Sequence, residues 1–158
     1  MITRTAKHTI DFGKELSTCL NAGDVIALTG ELGSGKTTLT KGIAEGLGVK
    51  NSDYVNSPSF VLIREYEGRL QLYHIDLYRL DNLTGAESLG IEEYLYNDGV
   101  CVIEWAQKIK ALLPKQYLEI KIKILDENSR EIELQGFGKR YESRTFEQFK
   151  NEYKKGAG

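Results

Sequence analysis

Cysteine, proline, excess charge of either sign and long apolar runs are all scarce in this chain of 158 residues. The two cysteines, Cys19 and Cys101, have no second Cys or His at metal-ligand spacing, which excludes a disulfide scaffold and a thiolate zinc site. Both sit in apolar stretches and are read as buried thiols of a reducing compartment. With 41% apolar residues the chain can bury a full core without staples. The only prolines are Pro58 and Pro114, and no Pro/Ser-rich linker, repeat or low-complexity tract interrupts the sequence. One domain over residues 1–158 is expected, with Gly156-Ala157-Gly158 frayed. No window approaches the roughly 18 uninterrupted apolar residues of a membrane span. The N-terminal stretch Met1 to His8 lacks the apolar core of a signal peptide, so a cytoplasmic protein is predicted. There is no basic excess: 21 Lys+Arg face 23 Asp+Glu, a formal net charge of −2. That argues against gripping bare nucleic acid by charge, though not against a nucleic-acid role reached through partners.

What is present reads as alternating helices and strands. Ile10, Leu16 and Leu20 recur at near-helical spacing, with Gly13 an unfavourable insertion. Asn21–Asp24 is a turn. Val25–Leu28 is a short apolar run without alternation, as in a strand covered on both faces. Leu39, Ile43 and Leu47 give Lys36–Leu47 the pattern of a helix packed on a sheet, capped by Gly48. Asn51–Ser59 is polar and reads as a loop. Phe60–Tyr66 and Leu70–Ile75 flank Glu67-Gly68-Arg69 as a hairpin. Thr84 and Glu87 have capping-box spacing, marking a short helix. Val100–Ile103 is a second fully apolar strand, and Ala106–Leu113 a short helix stopped by Pro114. Leu118–Ile124 and Arg130–Leu134 alternate with period two and should pair antiparallel with one face in water. Phe146, Phe149 and Tyr153 mark a terminal amphipathic helix and are read as core.

The segment Gly30-Glu31-Leu32-Gly33-Ser34-Gly35-Lys36-Thr37 matches G-x-x-x-x-G-K-[ST] at every fixed position. It follows a predicted strand and opens a predicted helix, the context that makes the match an argument. With Gly near 7% of residues, a random chain of this length shows the pattern well under ~2% of the time. Glycines let backbone N–H groups face phosphates, and the helix N-terminus adds its positive end. The Lys36 ammonium can bridge the β- and γ-phosphates, and the Thr37 hydroxyl can ligate Mg²⁺.

Such a loop needs a carboxylate at the end of a neighbouring strand. Asp76 follows Leu70–Ile75 and Glu104 follows Val100–Ile103; spacing alone does not rank them. The loop Val55–Phe60 would read as an ordinary polar turn on its own, but it stands where phosphate-sensing segments occur in P-loop hydrolases. Trp105, next to Glu104, is either core or a cover over a nucleotide. Arg79 either reaches a phosphate or forms a surface ion pair. His74 lies on a strand and is read as structural. No N-K-x-D stretch is present, which favours adenine nucleotides or an unselective base pocket. The seven arginines, Arg4, Arg64, Arg69, Arg79, Arg130, Arg140 and Arg144, are scattered, with no obvious lid of the kind small-molecule kinases use and no arginine finger beside the loop. A small-molecule kinase and a nucleotide-gated binding module without turnover remain alternatives to an ATPase.

Several segments together resemble one family: Gly30–Thr38 with Leu39-Thr40-Lys41-Gly42, Asn56-Ser57-Pro58-Ser59-Phe60, Tyr73-His74-Ile75-Asp76-Leu77-Tyr78-Arg79-Leu80, and Ile103-Glu104-Trp105. They are similar to the bacterial TsaE (YjeE) P-loop ATPases, over roughly Gly23 to Pro114. Ser59 departs from the pattern, which usually has Thr there; a hydroxyl is kept. The resemblance implies an α/β fold, a P-loop NTPase-like, mainly parallel sheet flanked by helices with additional antiparallel strands. It implies a Mg²⁺-dependent ATPase required for threonylcarbamoylation of adenosine 37 in tRNAs reading ANN codons. The implied partners are TsaB and TsaD, with tRNA met only through the complex. Carried over by position, Lys36 holds phosphates, Thr37 and Glu104 ligate Mg²⁺, and Asp76 orients the attacking water. Glu31, Leu32, Gly33, Ser34, Gly35, Thr38 and Trp105 complete the implied ATP site.

Overall fold

The computed structural model describes residues 1–58, 62–81, 83–142 and the single positions 147, 149 and 151; for Asp53, Leu83, Thr84 and Ser88 it describes the backbone alone. Seven strands form one sheet in the order β1-β7-β6-β2-β5-β4-β3. They are β1 (Ile2–Thr3), β2 (Val25–Thr29), β3 (Ile63–Tyr66), β4 (Leu72–Asp76), β5 (Val100–Glu104), β6 (Tyr117–Ile124) and β7 (Arg130–Phe137). The four central strands, β6, β2, β5 and β4, run parallel; β3, β7 and β1 add antiparallel edges. This is the α/β arrangement expected from the sequence. Of the parallel strands, β2, β4 and β5 are buried on both faces, which explains the unbroken apolar runs of β2 and β5.

Two helices cover one face: α1 (Ala6–Ser17) and α2 (Lys36–Gly46). Their residues Phe12, Leu16, Leu39 and Ile43 pack on Ile26 and Leu28. The other face buries Val25, Ala27, Ile75 and Ile103 beneath Ile91 and Leu95 of α4 (Ile91–Leu95) and Ile109 of a 3-10 turn, Ala106–Ile109. A short α3 spans Leu83–Ser88. No helix among the described residues is long and apolar enough to cross a membrane.

Several boundaries differ from the sequence reading for local reasons. Helix α1 starts at Ala6, because Thr5 is extended (φ −151°) and its Oγ1 accepts the His8 N–H at 3.0 Å. Gly13, unfavourable in an isolated helix, is required here: a Cβ on it would lie 2.6 Å from the Leu39 carbonyl oxygen of α2. The segment after Trp105 is a 3-10 turn rather than the longer helix expected over Ala106–Leu113. Thr84 lies inside α3, not ahead of it. Phe149 is buried against Phe12, ring centroids 5.8 Å apart, whereas Phe146, Tyr153 and the terminal Gly156–Gly158 lie outside the described residues, as do Ser59 and Phe60. The cysteines are not alike. Cys101 is buried in β5, but Cys19 is only partly buried at the end of the α1 turn, which corrects the reading of both as buried.

Two outcomes follow from this packing. Gly42 faces α1 so closely that a Cβ would meet the Ile10 carbonyl oxygen at 2.1 Å. Gly42→Ala should therefore lower stability by about 2 kcal/mol despite alanine's better helix propensity, read as a fall in the denaturation midpoint. Burial pushes the Cys101 thiol well above the usual thiol range, which suppresses the reactive thiolate. Near pH 8 a maleimide should add once to the folded protein, at Cys19, and twice only after unfolding.

Candidate functional site

The site lies where the parallel strands end. Strand β2 runs into the glycine-rich loop, and α2 begins at Lys36 with Gly35 as its N-cap in a left-handed conformation, φ +103°. Strands β4 and β5 are in register, so Asp76 pairs with Glu104 at their shared C-terminal edge. That edge is where open α/β sheets take ligands.

A cavity of about 410 Å³ opens there, within the rough 300–1,000 Å³ range of small-molecule sites. It is lined by Leu32, Gly33, Gly35, Lys36, Thr37 and Thr38 of the loop and α2, by Asp76, Glu104 and Trp105, and also by Ser57, Tyr78 and Arg79. Two of the residues expected at the site are not in the lining. Glu31 is exposed and contributes its carbonyl oxygen, which accepts from Lys36 at 2.7 Å. Ser34 is buried, and its hydroxyl lies 3.3 Å from the same ammonium.

Lys36 is buried, 4% exposed as a residue, and its ammonium has its donors engaged. Besides Glu31 and Ser34 it donates to the Gly30 carbonyl at 2.8 Å. The Trp105 ring sits over it, 4.1 Å from ammonium to centroid, a cation–π contact. Trp105 reaches this place with φ +61°, a left-handed conformation that costs a bulky residue energy and clusters at functional sites. Tyr78 packs on the same ring at 5.1 Å. Burial pushes the Lys36 ammonium below the usual lysine range, while the carboxylates of Glu104 and Asp76 act in the opposite direction.

Each carboxylate is held by named partners. Glu104 Oε1 accepts from Thr37 Oγ1 at 2.8 Å and from His74 Nε2 at 2.8 Å. Asp76 Oδ1 accepts the Tyr78 N–H at 2.8 Å, and Oδ2 accepts the Ser57 hydroxyl. The loop carrying Ser57-Pro58 is thus tied to the acid at the sheet edge. Sequence reasoning missed His74. It is fully buried, and its Nδ1 is one of two buried side-chain atoms without a hydrogen-bond partner among the described residues. The alternation His74-x-Asp76 was the available signal, because period two puts both side chains on one sheet face. Arg79, left open by the sequence, lines the cavity, so one arginine does stand at the site.

The donor set suits Mg²⁺ held together with a phosphate ligand. Thr37 and Glu104 offer hydroxyl and carboxylate oxygens, few in number, as Mg²⁺ takes with one or two carboxylates and substrate phosphates. Among the described residues no group of three or more His, Cys, Asp and Glu stands ready to hold a metal alone.

Comparison with known proteins points the same way. Residues 3–132 match the family described as "Threonylcarbamoyl adenosine biosynthesis protein TsaE". The tRNA threonylcarbamoyladenosine biosynthesis protein TsaE of Bacillus subtilis (strain 168) is 50% identical over 121 residues, 76% of this chain and 74% of that protein. The protein of the same description from Treponema pallidum (strain Nichols) is 40% identical over 131 residues, 83% of this chain and 96% of its own. The crystal structure of Bacillus subtilis YdiB superposes with a TM-score of 0.81 at 38% identity, covering 97% of this chain and 94% of that one.

The contact between His74 and Glu104 has a measurable worth. His74→Leu removes a donor to a buried carboxylate and should cost about 1–2 kcal/mol of stability. His74→Gln, which keeps an N–H of similar reach, should lose less, and chemical denaturation of the three proteins side by side separates them.

Proposed function

This chain belongs to the TsaE family of threonylcarbamoyl adenosine biosynthesis proteins, and from that premise we propose that it is the ATP-binding and hydrolysing protein required for threonylcarbamoyl modification of adenosine 37 in tRNA. It acts with a TsaB–TsaD pair and meets tRNA only through that complex. The observation that carries the nucleotide reading is the shared lining of one cavity: Lys36 and Thr37 from the glycine-rich loop with Asp76 and Glu104 from adjacent strand ends.

Hydrolysis at such a site is positioning and charge stabilisation. The loop N–H groups and Lys36 bind the triphosphate. Thr37 and Glu104 would hold Mg²⁺, which when bound neutralises charge on the phosphate oxygens. Asp76 orients the attacking water and accepts its proton. Its Oδ2 is engaged by Ser57, so the 57–58 loop must release that oxygen before it can take a water. Release by a docked partner makes turnover partner-dependent, and the isolated protein is slow. Arg79 is the sole arginine in the cavity lining among the described residues. That gives little support to an anionic acceptor, as a kinase would need, and favours water.

ATP turnover with Mg²⁺ tests this reading, first with the protein alone and then with TsaB and TsaD. Low activity alone and a clear rise in the mixture are expected; an unchanged rate with intact nucleotide binding overturns it. In the mixture Asp76→Asn should keep nucleotide affinity and lose on the order of 10²-fold or more in rate. Glu104→Gln should weaken binding only when Mg²⁺ is present. Lys36→Ala should damage both. The reverse pattern for the two acids would exchange their roles.

A further inference from the structure

The glycine-rich loop is held from two sides. From within, Lys36 binds the carbonyls of Gly30 and Glu31. From outside, Arg130 reaches it from the start of β7, 96 positions further along the chain. Its Nε donates to the Ser34 carbonyl at 3.0 Å, and one terminal nitrogen to the Gly33 carbonyl at 3.4 Å. The other terminal nitrogen donates to the carbonyls of Asp126 at 3.0 Å, Ser129 at 3.0 Å and Glu127 at 3.4 Å in the β6–β7 turn.

We propose that Arg130 is a positioning residue of the glycine-rich loop, which by fixing the outward carbonyl of Ser34 aims the Gly35 N–H at the phosphate position. In a trans peptide the C=O and the following N–H point in opposite directions. Binding the Ser34 oxygen on the outer side therefore turns the Gly35 N–H inward. The loop backbone does not enforce this by itself. Gly33 and Gly35 have φ +76° and +103°, and a Cβ at Gly33 would meet nothing within 4 Å. Glycine rotates there at little cost, with no side chain packed to stop it. The Ser34 N–H is already used by the Glu31 carbonyl at 3.1 Å, which leaves the Gly35 N–H as the group to be aimed.

The inner hold weakens when it is used. Each of the three N–H bonds of Lys36 has an acceptor on the loop, so a phosphate that recruits the ammonium takes at least one of them. Arg130 is not itself among the residues that line the cavity, and it keeps its hold. The β6–β7 turn has closures of its own: Asp126 Oδ1 accepts the N–H groups of Asn128 and Ser129, and the Ser129 carbonyl accepts the Leu125 N–H. What the guanidinium adds is the link to the loop. Five donors in a planar fork span both sides at once, which the three clustered donors of lysine do not.

The inference rests on the reading of the cavity as an ATP site, and the test separates the two. Wild type, Arg130→Gln, Arg130→Lys and Lys123→Gln are titrated with ATP using the fluorescence of Trp105, the one tryptophan of the chain. The Gly35 amide is followed in ¹⁵N–¹H spectra without nucleotide. Lys123 pairs with Glu131 and Glu133 on the same hairpin and controls for charge. Arg130→Gln should bind ATP about tenfold more weakly and shift or broaden the Gly35 amide. Arg130→Lys should fall between it and wild type, and Lys123→Gln should match wild type. Wild-type affinity in Arg130→Gln with an unmoved Gly35 amide overturns the proposal, as does an equal loss in Lys123→Gln. If Arg130→Gln does not fold, Arg130→Lys decides by the same two readouts. If wild type shows no saturable ATP response, the ATP-site reading fails, and the Gly35 amide alone still judges the role of Arg130.

Discussion

The arrangement at the sheet edge depends on one oxygen. Glu104 Oε1 accepts hydrogen bonds from Thr37 on α2 and from His74 on β4 while its own backbone lies in β5. A carboxylate buried this deeply is tolerated only with partners, since an unpaired one costs several kcal/mol. Here the two partners come from α2 and β4 and the acceptor from β5, so satisfying the charge fixes the start of α2 relative to both strands. The β4–β5 register then puts Asp76 beside Glu104. One acceptor thus sets where the hydroxyl of Thr37, the ammonium of Lys36 and the second acid stand.

Charge completes the constraint. The cavity edge holds one buried cation, Lys36, and two buried carboxylates, Asp76 and Glu104. Arg79 also lines the cavity, so a triphosphate entering this place meets two cationic and two anionic side chains and no net positive charge from them. The attraction must come from backbone N–H groups, the helix end and a divalent cation shared with the ligand. The proposed dependence on Mg²⁺ follows from this balance as well as from the identity of the oxygen donors.

Much of this was legible in the sequence because it is local. The glycine-rich motif, the apolar strands before it and before Glu104, and the alternation of β6 and β7 are all set by neighbours within a few positions. The acids were found because a strand end is visible as the last residue of an apolar run. What escaped is long-range. His74 looks like any strand residue until register puts it opposite β5 and within 2.8 Å of Glu104. Arg130 looks like one of seven scattered arginines until the β6–β7 turn folds back onto the loop. Gly13 reads as a helix breaker until α2 lies across it. In each case the deciding contact is with a residue more than twenty positions away, which no window of sequence contains.

The same contacts imply that phosphate binding here is an exchange. Lys36 already has three acceptors and an aromatic ring over it, so a phosphate gains only the difference between its own bonds and those it displaces. Trp105, held at φ +61°, is part of what must be displaced or accommodated, and its strain is offset by the contact with the ammonium beneath it. A loop whose cation is already satisfied binds weakly unless something else keeps its N–H groups aimed. Affinity then depends on how well the backbone is held from outside the cavity, by residues that never touch the ligand.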